Sequence, residues 1–334
     1  MKKFLWICFF CAALGLNVFS QQNITLIPNF LNSGNKFAHL KLQKVFGTPG
    51  AEDIVISKEG IAFISSDDRR SRRAKKEVPG AIYSVNLESP DLQVVNQTSQ
   101  IRFEFHPHGI SLWQNQGETI LQVINHRSQK ETTIEIFSWE NNKLTHLRSI
   151  QHPLVYSPND IHATGPESFF VSNDPGTKST FGFLLQSVLR LRRGNITWYD
   201  GKEAKVVAKR LSYPNGIMAK PGTDSVYVAA ILSRKIYCYQ WDTVQKKLIY
   251  KSKIRMGMSP DNLDFDADGN LWTTCHPNLL QFAKHAYDET RVCPTVVFKI
   301  SDLQRKKPEV EKVFYNNGKD ISGASVAALY KDQL

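Results

Sequence analysis

Apolar positions in this chain fall in short runs rich in β-branched and aromatic residues, and the pattern recurs about every fifty residues. Five runs open on a polar residue: Glu52-Asp53-Ile54-Val55, His108-Gly109-Ile110, Asn159-Asp160-Ile161, Asn215-Gly216-Ile217 and Asp261-Asn262-Leu263. Pro107, Pro158, Pro214 and Pro260 precede four of them. A turn containing glycine follows each (Gly60, Gly117, Gly165, Gly222, Gly269), and then a second run such as Ile61 to Ile64 or Val226 to Val228. Third runs (Ala81 to Val85, Ile236 to Tyr239) and fourth runs (Leu144 to Ile150, Val310 to Phe314) complete each repeat. Runs of this length and composition, divided by turn residues, are strands. Four strands per repeat make a propeller blade.

The expected fold is therefore all-β, a six-bladed β-propeller with four-stranded blades. Five blades are complete in the pattern. A sixth opens at Ile321-Ser322-Gly323-Ala324-Ser325 and is expected to be incomplete, since the sequence stops at Leu334, where its second strand would begin. A strand over Ala38 to Val45 is expected to close the ring. Phe181, Leu184, Leu185 and Val188 fall at helical spacing and predict one short helix within 181–193, carrying Arg190, Arg192 and Arg193.

Composition adds a compartment. Lys2-Lys3, the apolar run Phe4 to Leu16, and Val18 and Ser20 read as a signal peptide over 1–20, cleaved after Ser20 or kept as an anchor. The rest, 21–334, is one propeller domain, exported and then secreted, periplasmic or membrane-attached. With 41% apolar and 22% charged residues the chain is an ordinary globular one. Cys238, Cys275 and Cys293 show no zinc spacing and allow at most one disulfide. The formal charge is +11, and Arg69, Arg70, Arg72, Arg73, Lys75 and Lys76 crowd one stretch. That stretch reads as a solvated loop or, together with the 181–193 helix, as a contact for an anionic membrane surface. No nucleic-acid motif is present.

In a torus the blade-opening residues converge. Glu52, Asn159, Asn215, Asp261 and Asn262 would then offer carboxylate and amide oxygens to one site, a donor set suited to calcium. Asp53 and Asp160, next along their strands, would point the other way, towards a second ion. His108 and His126 flank the turn at Gly117 with an index sum that places them opposite each other in a regular hairpin. A bulge would break that register. Two opposed imidazoles beside an ion suit water activation and the hydrolysis of an ester or lactone.

At these residues the chain resembles the paraoxonase/arylesterase family of calcium-dependent lactonases. The resemblance spans about 45–330. It rests on strings such as Gly50-Ala51-Glu52-Asp53, Pro107-His108-Gly109-Ile110-Ser111, Val123-Ile124-Asn125-His126, Pro158-Asn159-Asp160-Ile161, Pro214-Asn215-Gly216-Ile217 and Cys275-His276-Pro277-Asn278. It implies a six-bladed propeller with two calcium ions. Glu52, Asn159, Asn215, Asp261 and Asn262 would bind the catalytic ion, and Asp53, Asp160 and the carbonyl of Ile110 the structural one. His108 and His126 would be the catalytic dyad, His276 would line the active-site wall, and the 181–193 helix would be a lid. The substrate would be a small lactone or aryl ester. Ser66-Asp67-Asp68-Arg69-Arg70 is closer to microbial than to animal relatives. Two other readings are a non-catalytic propeller that calcium makes rigid, and a strictosidine-synthase-like or gluconolactonase-type propeller.

Overall fold

The computed structural model describes residues 43–76, 78–128, 131–174, 189 and 191–334. Over these residues the alternating runs become five four-stranded antiparallel sheets, each paired in chain order. Blade one is β1 (Ala51–Ile56), β2 (Ile61–Ser66), β3 (Ala81–Asn86) and β4 (Val94–Asn96). Blade two is β5 (Pro107–Asn115), β6 (Glu118–Asn125), β7 (Thr133–Glu140) and β8 (Lys143–Ile150). Blade three is β9 (Pro158–Ala163), β10 (Phe169–Asn173), β11 (Gly194–Tyr199) and β12 (Ala204–Leu211). Blade four is β13 (Pro214–Ala219), β14 (Ser225–Ala230), β15 (Lys235–Asp242) and β16 (Lys247–Arg255). Blade five is β17 (Ser259–Phe265), β18 (Leu271–His276), β19 (Thr295–Ser301) and β20 (Glu309–Asn316).

The first strands β1, β5, β9, β13 and β17 pack in succession about the axis. The core lies between blades, face to face. Phe63 and Ile82 meet Ile110, Leu121 and Phe137, and Ile120 and Ile136 meet Ile161 and Phe169. Phe170 and Ile196 meet Ile217 and Val228, and Tyr227 and Ile236 meet Leu263 and Val296. Each such side chain, fully buried, contributes about 1.5–3 kcal/mol.

Among the described residues the expected sixth blade does not form. Residues 321–334 carry only an isolated bridge between Tyr330 and Gln333. They run as a segment between blades five and one. Ala327 and Leu329 pack on Trp272, Val297 and Val313 of blade five. The Ser325 carbonyl accepts from Asn262 N at 3.1 Å and from Thr274 Oγ1 at 2.6 Å. On the blade-one side, Ser325 Oγ donates to the Glu52 carbonyl and the Tyr330 hydroxyl to Glu88 at 2.6 Å. A strand needs a neighbour's row of amides as well as its own alternation. This segment meets single amides and side chains instead. The closing strand expected over Ala38 to Val45 lies largely outside the described residues, and 43–45 are not strand. The leader and the helix expected within 181–193 also fall outside the described residues, apart from short stretches of the latter.

Two short helices complete the described fold: α1 (Arg69–Arg73), capped by Asp68, and α2 (Leu279–Tyr287), capped by Asn278. Among the described residues no helix is long and apolar enough to cross a membrane, and Cys238, Cys275 and Cys293 are unpaired thiols.

The first strands interlock. Asp53 Oδ2 accepts from Ile110 N at 2.8 Å, and Asp160 Oδ2 accepts from Ile217 N at 2.7 Å, so blades one and three each reach one blade forward. Glycine precedes both of the contacted isoleucines. A Cβ on Gly109 would lie 2.7 Å from the Asn159 carbonyl oxygen, and one on Gly216 would lie 2.6 Å from the Asp261 carbonyl oxygen and 2.8 Å from Asn262 Cα. These are backbone atoms of the next strand and cannot swing away. Gly216→Ala is therefore expected to destabilise the ring by about 3 kcal/mol, at the upper end of overpacking costs. Urea unfolding would check this, and a loss under 1 kcal/mol would show that the strands part easily.

Candidate active site

Proline lacks an amide hydrogen and is tolerated in sheets at edges and bulges. The prolines that precede the polar residues sit at such places. Register breaks between Pro107 and Ile110, Pro214 and Ile217, and Pro260 and Leu263, and likewise between Ala51 and Asp53. In blade three the break falls likewise between Pro158 and Asp160, opposite the adjacent Ser172 and Asn173. A bulge re-aims side chains that would otherwise alternate. Neighbours such as Asp261 and Asn262 are consequently both buried and both face the same acidic cluster.

That cluster gathers the blade-opening residues. Burial pushes Glu52 up to about 7, opposed by the Arg69 charge and reinforced by Asp261. Burial raises Asp53 well above the usual carboxylate range, and Asp160 and Glu52 add to it. Burial likewise raises Asp160, against hydrogen bonds from the Ile217 and Ile161 amides. Asn262 Nδ2 donates to Asp53 Oδ1 at 3.3 Å, and Asp261 Oδ2 lies 2.6 Å from His276 Nε2. Glu52 Oε2, Asn159 Oδ1, Asn215 Oδ1 and Asn262 Oδ1 are buried oxygens with no hydrogen-bond partner. Buried oxygens are normally satisfied, and leaving one bare costs about 1–3 kcal/mol. Four bare buried oxygens on the first strands of four blades, which also carry the buried carboxylates, fit a hard cation. Among the described residues no three of histidine, cysteine, aspartate and glutamate form a metal group. The donor set is mixed carboxylate and amide oxygen, which is calcium's chemistry. Ile110 presents its amide to Asp53.

His108 and His126 do meet, but not in the expected register. Pro107 pairs with Asn125 and Ile110 with Val123, so the bulge falls on His108 itself. The residue across from His126 is His106, whose carbonyl accepts the His126 amide at 3.0 Å. The bulge nonetheless turns His108 onto His126, edge to face, with ring centroids 5.1 Å apart and planes at 74°. Their hydrogen bonds go elsewhere. His108 Nδ1 lies 2.6 Å from Arg69 Nη2, and His126 Nδ1 lies 3.3 Å from Thr132 Oγ1. His108 Nε2 is 3.8 Å from Glu52 Oε1. Burial and then the Arg69 charge hold His108 well below the usual imidazole range and His126 near 4, so both rings are neutral at pH 7. His276 is 1% exposed and stacks on Phe282 of α2, with centroids 3.7 Å apart.

Several neighbours had no clear sign in the sequence. Asn125 Oδ1 accepts from His106 N at 2.8 Å while its Nδ2 donates to Glu135 at 2.9 Å, which fixes the strand entering the bulge. Glu135 is wholly buried and also takes Arg127, Thr133, His146 and Ser149. Asn173 does the same work in blade three, accepting from Ser157 N. The recurrence of Asn125 and Asn173 at the ends of second strands was the available signal. Tyr213 is a bulky residue at φ 58°, a strained conformation that recurs at functional sites. Burial, and then Asp174, raise its phenol well above the ordinary range.

Over 69–73 the basic stretch is not a loop. It is α1, fastened to α2. Arg70 Nη2 donates to the His285 carbonyl at 2.8 Å, Arg73 Nη1 to the Ala286 carbonyl at 2.6 Å, and Arg73 lies over the Tyr287 ring. A cleft of about 840 Å³ lies elsewhere, between the outer strands of blades three and four. Lysines such as Lys205 and Lys253 line it and no carboxylate does, so it lacks the groups for metal-assisted hydrolysis.

The arylesterase family model matches residues 36–334. The chain is 34% identical to serum paraoxonase/arylesterase 2 of Rattus norvegicus over 294 residues, 85% of this chain and 82% of the rat protein. It is 33% identical to serum paraoxonase/lactonase 3 of Homo sapiens over 298 residues, with the same coverage. Among solved structures a luciferin-regenerating enzyme superposes with a TM-score of 0.51 at 13% identity, covering 80% of this chain and 78% of that one, a likeness of fold.

Proposed function

The chain belongs to the arylesterase family, and from that premise we propose that it is an exported, calcium-dependent hydrolase of lactones and aryl esters. The observation that carries the reading is the set of four bare, buried oxygens beside two neutral imidazoles. Glu52, Asn159, Asn215, Asp261 and Asn262 would hold a catalytic calcium. Asp53 and Asp160, with the carbonyl of Ile110, would hold a structural one. A calcium ion held by these residues would supply Lewis-acid chemistry, polarising a substrate carbonyl and compensating charge developing on its oxygen.

The protein's own groups do the rest. His108, with Nε2 3.8 Å from Glu52 Oε1, takes the proton of the attacking water. Only a neutral ring has the lone pair for that, and burial keeps it neutral. His126 packs edge-on and limits how His108 can turn. His276, tied to Asp261 and stacked on Phe282, forms the wall. Export rests on Lys2-Lys3 and the run Phe4 to Leu16, and on relatives whose names place them in serum.

A panel of γ- and δ-lactones and phenyl acetate, assayed on purified protein with calcium and with a chelator, tests the proposal. Hydrolysis that needs calcium is expected. Bound calcium with no turnover of any member would make the chain a binding propeller instead, and full turnover in the chelator would remove calcium from the reaction.

A further inference from the structure

We propose that Arg69 recognises an acidic group, so that the preferred substrates of the site are lactones or aryl esters bearing a carboxylate close to the reacting carbonyl. The inference rests on the hydrolase reading above. α1 presents four arginines in five residues, and three are committed to the protein. Arg70 and Arg73 hold carbonyls of α2, and Arg72 Nη2 holds Asp67 at 3.2 Å. Arg69 alone reaches the dyad. Its Nη2 is 2.6 Å from His108 Nδ1, and its Nε is 3.9 Å from Asp67, beyond hydrogen-bond range. A guanidinium has five donors in a fork shaped for carboxylate. One is used on His108, and the side chain is 31% exposed, so a bound anion can take others.

The contact has a second consequence. A guanidinium only donates, so His108 Nδ1 must be the acceptor and its lone pair is engaged. A carboxylate accepts from arginine more strongly than a neutral ring nitrogen does. An acidic substrate therefore draws Arg69 away from His108 and frees that lone pair for the proton of water. Recognition and release of the base become one event. A neutral ester offers nothing in exchange. The geometry limits the reach. A water that donates to His108 and attacks the carbonyl through a lone pair is bent at its oxygen, which puts the carbonyl carbon roughly 5 Å from the ring nitrogen and suits a carboxylate about two to four bonds away from it.

The test pairs a γ-butyrolactone carrying a carboxymethyl group with the same lactone carrying the primary amide, on wild type, Arg69→Met and Arg69→Lys. The wild type is expected to favour the acid by roughly ten- to hundredfold in kcat/KM, the scale of a charge-assisted hydrogen bond. Arg69→Met should lose that preference and turn over the amide faster than wild type, while Arg69→Lys should keep part of it. Equal ratios in wild type and Arg69→Met would overturn the proposal. So would a wild-type preference for the amide. Titration of glutarate into the calcium-loaded protein separates this from the hydrolase reading. If neither lactone is cleaved, tight glutarate binding that Arg69→Met weakens at least tenfold still supports the acid site, and equal binding by both proteins refutes it.

Discussion

Replacing His108 with glutamine is expected to lower kcat/KM for a γ-lactone by roughly 10²- to 10⁴-fold, the span typical of a lost general base. Glutamine approximates the size of the imidazole, and its Oε1 can still accept from Arg69, so α1 has no reason to shift. Calcium content should be retained, because none of the four bare oxygens belongs to His108. His126→Gln should lose less, on the order of tenfold, since that ring touches His108 only edge-on. Steady-state kinetics beside a metal assay checks both. Wild-type turnover in His108→Gln would end the assignment of that ring as the base.

Removing calcium should cost stability as well as activity. Two ions at about a hundred times their dissociation constants each contribute about 2.7 kcal/mol by mass action. Together that is a fall in Tm on the order of 10 °C on chelation. The ion-free protein should also gain a pH dependence that the loaded one lacks. Glu52, Asp53 and Asp160 all have folded pKa values raised above their ordinary ones, by burial first in each case. Such groups contribute stability in full below about pH 4, where the unfolded carboxylates are also protonated, and lose it as the pH climbs through the folded values, near 7 for Glu52. The Tm of the chelated protein should therefore fall between about pH 4 and 8. Thermal scans with and without chelator measure it, and a flat profile without calcium would mean that these carboxylates are compensated by the protein itself.

Much of the propeller was legible in the chain because strands are local. Ile61 to Ile64, Val226 to Val228 and Leu271 to Thr273 lie within β2, β14 and β18, since β-branched alternation between turns leaves few alternatives. That the polar blade openers lie on the mutually packed first strands followed from repetition alone. Register was not legible. Constant index sums assume a regular hairpin, and the backbone gives way at Pro107. The histidines still meet because the same bulge that moves the register also re-aims His108. The 321–330 segment had strand-like residues, but pairing depends on a neighbour that no local pattern encodes. α1 was invisible for a different reason. Its stability comes from arginines gripping distant carbonyls of α2, 213 to 215 positions away, and not from an apolar face.

The interval between blades five and one differs in kind from the other four. Elsewhere neighbouring blades share broad interleaved apolar faces. Here the described links include an extended segment lying on blade five, hydrogen bonds and an ion pair from Ser325, Tyr330 and Lys331 to blade one, the Lys44–Asp320 ion pair, the Asn262–Asp53 bond, and the grip of Arg70 and Arg73 on α2. Glu52 lies on one side of this interval and Asp261 and Asn262 on the other, so the acidic oxygens straddle it. The acidic cluster and the described closure of the ring are held by the same few contacts.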